Sequence, residues 1–181
     1  ISYSFRDFSE MKKKLEKALE LFSQSGDAIG QIECYVELAY VQIIENNRPG
    51  GKEFAQKAID LATKTGHNRG RVLAMIVLGD AHERMGEWAD AISIFREAER
   101  FYPDKLDQYE RGILFNRLAH YYLSYQEPEM AQKYFQKSFE CYDLTNDDEG
   151  RSEVLTDLGE LYFQQGDKTL ALSSFQRSKE I

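Results

Sequence analysis

The stretch Leu78-Gly79-Asp80-Ala81-His82-Glu83-Arg84-Met85-Gly86-Glu87-Trp88-Ala89-Asp90-Ala91-Ile92-Ser93-Ile94-Phe95-Arg96-Glu97-Ala98 decides how this chain folds. With Met75, the residues Leu78, Gly79 and His82 fall at offsets i, i+3, i+4 and i+7, one face of an α-helix. Beyond Gly86, Ala91, Phe95 and Ala98 fall at i, i+4 and i+7, a second helical face that alternates small and bulky. Gly86 between them suits the left-handed residue that commonly ends a helix. The stretch reads as two helices folded back on one another.

Working outward, the hairpin recurs. Leu38-Ala39, Leu78-Gly79, Leu118-Ala119 and Leu158-Gly159 are each 40 residues apart. Tyr35, Met75, Phe115 and Leu155 precede these pairs, and Gln42, His82, Tyr122 and Tyr162 follow them. In the second helix, Ala91, Ala131 and Ala171 share a column with Gly51, and Phe95, Phe135 and Phe175 share one with Ala55. Ala58, Ala98, Ser138 and Ser178 come next, then Leu61, Phe101, Cys141 and Ile181, with Leu21 one period earlier. Self-similarity at such a period marks a stacked array in which no unit buries its apolar face alone.

Turn formers separate the helices: Asn46 to Gly50, Gly86, Gln126 to Pro128 and Gly166-Asp167 within pairs. Ser25 to Asp27, Gly66 to Asn68, Pro103-Asp104 and Asn146 to Asp148 stand between pairs. The spacing predicts helices over 4–24, 28–45, 51–65, 69–85, 88–101, 106–125, 128–142, 148–165 and 168–181, an all-α chain of about nine helices. Met11, Leu15, Ala18 and Leu21 match the second-helix columns. Residues 1–26 therefore read as the second helix of a truncated repeat, followed by repeats at 27–66, 67–106, 107–146 and a truncated one at 147–181. The chain opens on Ile1 without methionine and closes on Ile181 inside a helical pattern, as expected of a piece cut from a longer array. Cut ends should expose apolar surface, so weak self-association through the end helices is expected.

Composition agrees with a packed, water-facing chain. Hydrophobic residues make up 42% and charged residues 30%, and 3 prolines leave long helices uninterrupted. A net charge of −8 repels phosphate backbones, which argues against nucleic acid as partner. Lys12-Lys13-Lys14 is interspersed with Glu10, Glu16 and Glu20 and reads as a solvated helix face. No apolar run is long enough for a membrane span. Cys34 and Cys141 form no disulfide framework and behave as small hydrophobes, which suits a reducing cytoplasm.

Gly86-Glu87-Trp88-x-x-Ala91-x-x-x-Phe95-x-x-Ala98 after Leu78-Gly79 resembles a tetratricopeptide repeat, as does Gly166-Asp167 through Ala171 and Phe175 after Leu158-Gly159-x-x-Tyr162. The resemblance covers almost the whole chain. It implies a right-handed superhelical array of antiparallel helix pairs whose first helices line a concave groove. Pairs here repeat at 40 residues rather than the family's roughly 34. The extra length is expected in the connections between hairpins and the helix ends beside them, near the glycines at 30, 70 and 150. The first pair matches worst, with Gly51 and Ala55 in its columns and a long turn around Pro49. The variant is similar to arrays of adaptor and scaffold proteins, of kinesin light chains, and of bacterial peptide-pheromone receptors and regulators, which hold a peptide or protein partner.

The same resemblance assigns a groove-facing stripe: Glu37, Tyr40 and Ile44; Val77, Asp80 and Arg84; Arg117, His120 and Ser124; and Asp157, Glu160 and Gln164, with Asn116 beside Arg117. This stripe varies between copies while the core columns repeat. Arg84, Arg117 and His120 stand among Glu37, Asp80, Asp157 and Glu160, which suits a partner segment with acidic groups near its middle. The alternative is that these charges pair between adjacent helices, for example Asp80 with Arg117. The asparagine that several peptide-binding relatives carry before Leu-Gly is replaced by Glu37, Val77, Arg117 and Asp157. A lysine-and-asparagine carboxylate clamp is not recognisable either.

Chemistry-bearing motifs are weak. His82-Glu83 opens like a zinc-protease helix, but Gly86 stands where the second histidine belongs. Asp143 to Gly150 hints at a calcium loop with its glycine displaced, and reads better as a turn. Pairing Cys34 with a histidine as nucleophile and base would need two unrelated helix faces to converge, and Trp88 reads as packing. The expected function is a non-catalytic protein- or peptide-binding module of a larger signalling, regulatory or scaffold protein, with no metal and no cofactor. The alternative is a peptide sensor controlling an output domain.

Overall fold

The computed structural model describes residues 5–100 and 107–181, with side chains of the first helix from Phe8 onward. The described residues form nine helices and no strand: α1 (Phe5–Ser25), α2 (Ala28–Ile44), α3 (Arg48–Thr65), α4 (Asn68–Arg84), α5 (Trp88–Arg100), α6 (Gln108–Ser124), α7 (Pro128–Thr145), α8 (Asp148–Gln164) and α9 (Lys168–Glu180). Expectations at residue 4, at Phe101, at Pro103-Asp104 and at residue 106 fall outside the described residues. Two compact units result, one holding α1 to α5 and the other α6 to α9. In the first, each helix packs on the next and α2 also touches α4. In the second, α6 packs on α7, α7 on α8 and α8 on α9.

One repeated device joins successive helices. Left-handed φ falls at Gly26, Asn46, Gly66 and Gly86, then at Gln126, Asn146 and Gly166, a 20-residue spacing on each side of 101–106. The amide after each such residue donates to the carbonyl five residues back, as in Asp27 N to Phe22 O at 3.0 Å and Asp147 N to Tyr142 O at 3.0 Å. This closes the helix with a Schellman bond and satisfies an otherwise orphaned carbonyl. In four places the same residue also caps the next helix: the side chains of Asp27, Asn47, Asp147 and Asp167 accept from amides of its first turn, and Asp107 caps α6 in the same manner. Each such cap contributes about 1 kcal/mol. Stop and start signals are thus fused into adjacent residues.

Two expectations about length change. Connections between pairs are only two residues, Gly66-His67 and Asn146-Asp147, so the long period is spent on helix: α3 and α7 each run 18 residues. The turn around Pro49 is not long. Pro49 sits in the first turn of α3, where its missing N–H has no intrahelical partner to lose. Gly50 and Gly51 are helical too, and a Cβ on Gly51 would stand 2.6 Å from the Ile43 side chain, so α2 and α3 touch there.

The repeated columns form the interior. In the first unit, Ile32, Ala58, Ala62 and Ala74 pack together, as do Ala39, Ile43, Ala55, Leu78 and Ala81. In the second, Leu114, Leu118, Ala119, Ala131, Phe135, Val154, Leu155 and Leu161 are buried, and the rings of Tyr122 and Tyr134 stack at 5.3 Å. In two copies the small residue after the leucine lies against the aromatic column: a Cβ on Gly79 would stand 2.3 Å from Phe95, and one on Gly159 2.5 Å from Phe175. Serine replaces alanine at 138 and 178 because a carbonyl waits in the same register. Ser138, buried, donates to Gly112 O at 2.7 Å and Ser178, half-buried, to Ser152 O at 2.9 Å, so neither hydroxyl is left unpaired.

Candidate partner-binding face

Each first helix is anchored on one side by its leucine column, and the opposite side is left open. On α2 the open side carries Ile29, Glu33, Glu37, Tyr40 and Ile44, all exposed. Tyr40 is 47% and Ile44 39% exposed, large apolar surface that nothing in the unit covers. Arg84 on α4 is exposed, and Asp80 is half-buried. Val77 is not on this surface. It is 8% exposed and packs in the cluster with Ala39, Ile43, Ala55, Leu78 and Ala81, where α4 lies against α2 and α3.

Between α2 and α4 the surface deepens into a cleft of about 240 Å³. Ile32, Val36, Gly70 and Leu73 line it, with Glu33, Glu37, His67 and Arg69 around it. Of these, only Glu37 belongs to the sequence-derived stripe. Glu33 and Leu73 stand one helical turn before Glu37 and Val77, so extending the i, i+4 offset backwards was the available signal. Gly70 is the recurrent helix-start glycine, and a Cβ there would stand 2.5 Å from the Ile32 side chain. Arg69 Nη1 lies 3.9 Å from Glu33 Oε1. The Glu37 carboxyl is pushed above the usual carboxylate range, first by desolvation and then by the charge of Glu33.

On the second unit, His120 Nε2 lies 3.2 Å from Asp157 Oδ2, joining α6 to α8, and the His120 ring meets Phe135 edge-on at 5.2 Å. Two stripe residues here pair with each other across adjacent first helices, as the alternative reading holds for such charges. Arg117 is half-buried, while Ser124, Glu160 and Gln164 are exposed. Asn116 is 4% exposed and offers no surface to a partner. Its column holds Ile76 in the preceding copy, also buried. The register therefore turns this position inward.

One group of possible metal ligands occurs among the described residues, His82, Glu87 and Asp90, with ligand atoms within 4.8 Å of one another. His82 Nδ1 is 2.7 Å from Glu87 Oε2, and Lys52 Nζ is 3.0 Å from the same oxygen. The Lys52 hydrogen bond is the main reason the Glu87 carboxyl titrates below its ordinary range, with smaller contributions from the charges of Lys52 and His82. The contact has a counterpart one period earlier, where Asn47 donates to Gln42. It belongs to the turn that joins each pair, with a lysine already in the place of a cation. No described helix is long and apolar enough to cross a membrane.

Comparison with known proteins bears on the same elements. Two models described as tetratricopeptide repeat match, over residues 74–108 and over residues 110–181, and together they span more than half of the chain. No curated protein sequence matches it. Among solved structures, the Rap protein complexed with competence and sporulation factor superposes with a TM-score of 0.84 at 17% identity, over 97% of this chain and 49% of that one. BtubC (BKLC) from P. vanneervenii gives 0.78 at 18% identity, over 96% of this chain and 72% of that one. A putative kinesin light chain from Podosopora anserina with nearly identical repeats gives 0.69 at 14%, over 96% and 86%. At these identities the likeness is one of fold. Tetratricopeptide repeats are protein-interaction scaffolds, generally without catalysis of their own. Helix pairs, repeated columns and matching models together assign this chain to the tetratricopeptide repeat family.

Proposed function

We propose that the open faces of the first helices bind an extended or helical segment of a protein partner, and that the chain is one binding module of a larger signalling, regulatory or scaffold protein. The observation that carries this reading is the exposed pair Tyr40 and Ile44, beside the cleft between α2 and α4. Aromatic and aliphatic side chains left uncovered on a face rimmed by charges are what binding hot spots are made of. The interior columns repeat and these positions do not, as a surface fitted to one partner would require.

The test is selection of binders from a displayed peptide library by the chain, followed by Tyr40→Ala and Ile44→Ser. Both side chains are partly exposed and lie outside the buried clusters, so each variant should keep the fold, with circular dichroism and melting temperature as the check. Affinity should fall about tenfold or more for each, the loss of roughly 1.4 kcal/mol or above. Unchanged affinity in both would remove the first-helix face from consideration. Selected peptides also decide whether acidic groups in the segment matter, since Arg84 and Arg117 are the residues proposed to meet them. The buried thiols of Cys34 and Cys141, both raised above the ordinary thiol pKa by desolvation, favour a reducing compartment such as the cytoplasm for this module.

Weak self-association belongs to the same proposal. Phe95 and Phe135 are 1% and 0% exposed, whereas Phe175 in the same column is 38% exposed, with Leu170 and Leu172 open beside it. Sedimentation should show concentration-dependent association that Phe175→Asp reduces. An unchanged, strictly monomeric profile at high concentration would refute it.

A further inference from the structure

We propose that the cleft between α2 and α4 is a subsite for one side chain with an apolar stem and a cationic head, a lysine or arginine of the bound segment. The inference rests on the partner-binding reading above and names what one part of that face recognises.

The shape and the charges agree. The walls of the cleft are Ile32, Val36 and Leu73, and Gly70 leaves one side without a side chain. A methylene stem seated there removes apolar area from water while its head stays at the rim. The rim on the α2 side carries Glu33 and Glu37, one turn apart on a single helix face. Arg69 approaches Glu33 at 3.9 Å. Glu37 makes no ion pair or hydrogen bond with any described residue, and it stands at an apolar wall beside a like charge. A carboxylate in that position is disfavoured as an anion until a cation arrives.

Neighbours of the cleft sharpen the choice of ligand charge. The titratable and charged groups lining it are Glu33 and Glu37 from α2, Arg69 from α4, and His67, which caps the start of α4 without a side-chain hydrogen bond there. Two carboxylates stand against one guanidinium at the rim. An acidic side chain would meet like charge here, which costs affinity. A neutral apolar side chain would fill the walls and leave Glu37 desolvated and unpaired.

The sign of the linkage yields a discriminating variant. The folded-state pKa of Glu37 is raised, so its contribution to stability is full below its unfolded pKa and is lost as pH rises through the folded value. Because Glu37 is exposed, solvent screens most of this cost, and Glu37→Gln should keep or slightly raise the melting temperature. The same substitution should weaken capture of a cation. A residue with a merely structural role would not keep stability and lose binding together.

Butylguanidinium, with butylurea as its neutral counterpart, is titrated into the intact chain while the amide resonances of Glu37, Gly70 and Leu73 are followed by two-dimensional NMR. Saturable shifts at these residues with butylguanidinium alone are expected, about tenfold weaker in Glu37→Gln and stronger in Arg69→Ala, which removes the competing cation. Equal shifts with butylurea, an unaffected Glu37→Gln variant, or no shift at these amides would overturn the subsite. Peptides that bind through Tyr40 and Ile44 without enrichment of lysine or arginine would also overturn it, while leaving the broader partner-binding reading intact.

Discussion

Phe135→Ala is expected to destabilise the second unit by about 3–5 kcal/mol, the range for removing a fully buried phenylalanine. The ring is 0% exposed, with His120 of α6 edge-on against it. The lost transfer free energy is joined by the cost of the cavity left behind. A loss of this size is comparable to the whole stability of a small domain, about 5–15 kcal/mol. Urea denaturation followed by circular dichroism should show the midpoint collapse or the folded baseline vanish. The internal control is Phe175→Ala. Its ring is 38% exposed, so less transfer free energy is at stake and the loss should be clearly smaller. Equal losses at the two positions would mean that the column does not bury these rings as described.

Gly79→Ala is expected to destabilise the first unit by about 1–3 kcal/mol, against the ordinary rule for a helix interior. Replacing a helical glycine by alanine elsewhere gains about 1 kcal/mol through propensity. Here the new Cβ would stand 2.3 Å from Phe95 Cε1 and 2.6 Å from its Cζ. Phe95 is itself fully buried and cannot swing out of the way. Either α4 and α5 separate or the ring leaves its rotamer. The check is a double-mutant cycle with Phe95→Leu, which shortens the opposing side chain. Strong positive coupling between the two substitutions is expected, since each relieves the other. Additive effects would show that the steric contact between α4 and α5 is not what keeps position 79 small.

The two variants probe one rule from opposite sides. In each pair the first helix supplies a small residue and the second a large one, and the pair Ala39 with Ala55 shows the rule relaxing in the first copy. There Gly51 lets α3 approach the Ile43 side chain instead. Close approach is thus conserved in space through a different glycine.

Much of this was legible beforehand. The helix boundaries followed from the columns at 40-residue spacing and from fused glycine–cap pairs such as Gly26-Asp27 and Gly166-Asp167. The fold class needed nothing more, because apolar periodicity and local capping both act within a few residues. Pro49 misled because proline and two glycines were read as a loop, while a helix N-terminus tolerates proline where its missing donor has no partner.

The binding face was legible only in outline. Glu37, Tyr40 and Ile44 were assigned to an open stripe through the family resemblance, and all three are exposed. Val77 and Asn116 share the same assignment and are buried, because a helix of an array packs against two or three neighbours and their distance decides how much of its circumference stays open. The pairing of His120 with Asp157 and the cleft flanked by Glu33, Glu37 and Arg69 likewise depend on the separation of adjacent first helices. Sequence alone determined the repeat, the helices and the face each residue occupies, since these follow from local geometry and periodic burial. Tertiary structure decided which of those faces remain accessible, since accessibility is set by the spacing between helices distant in the chain.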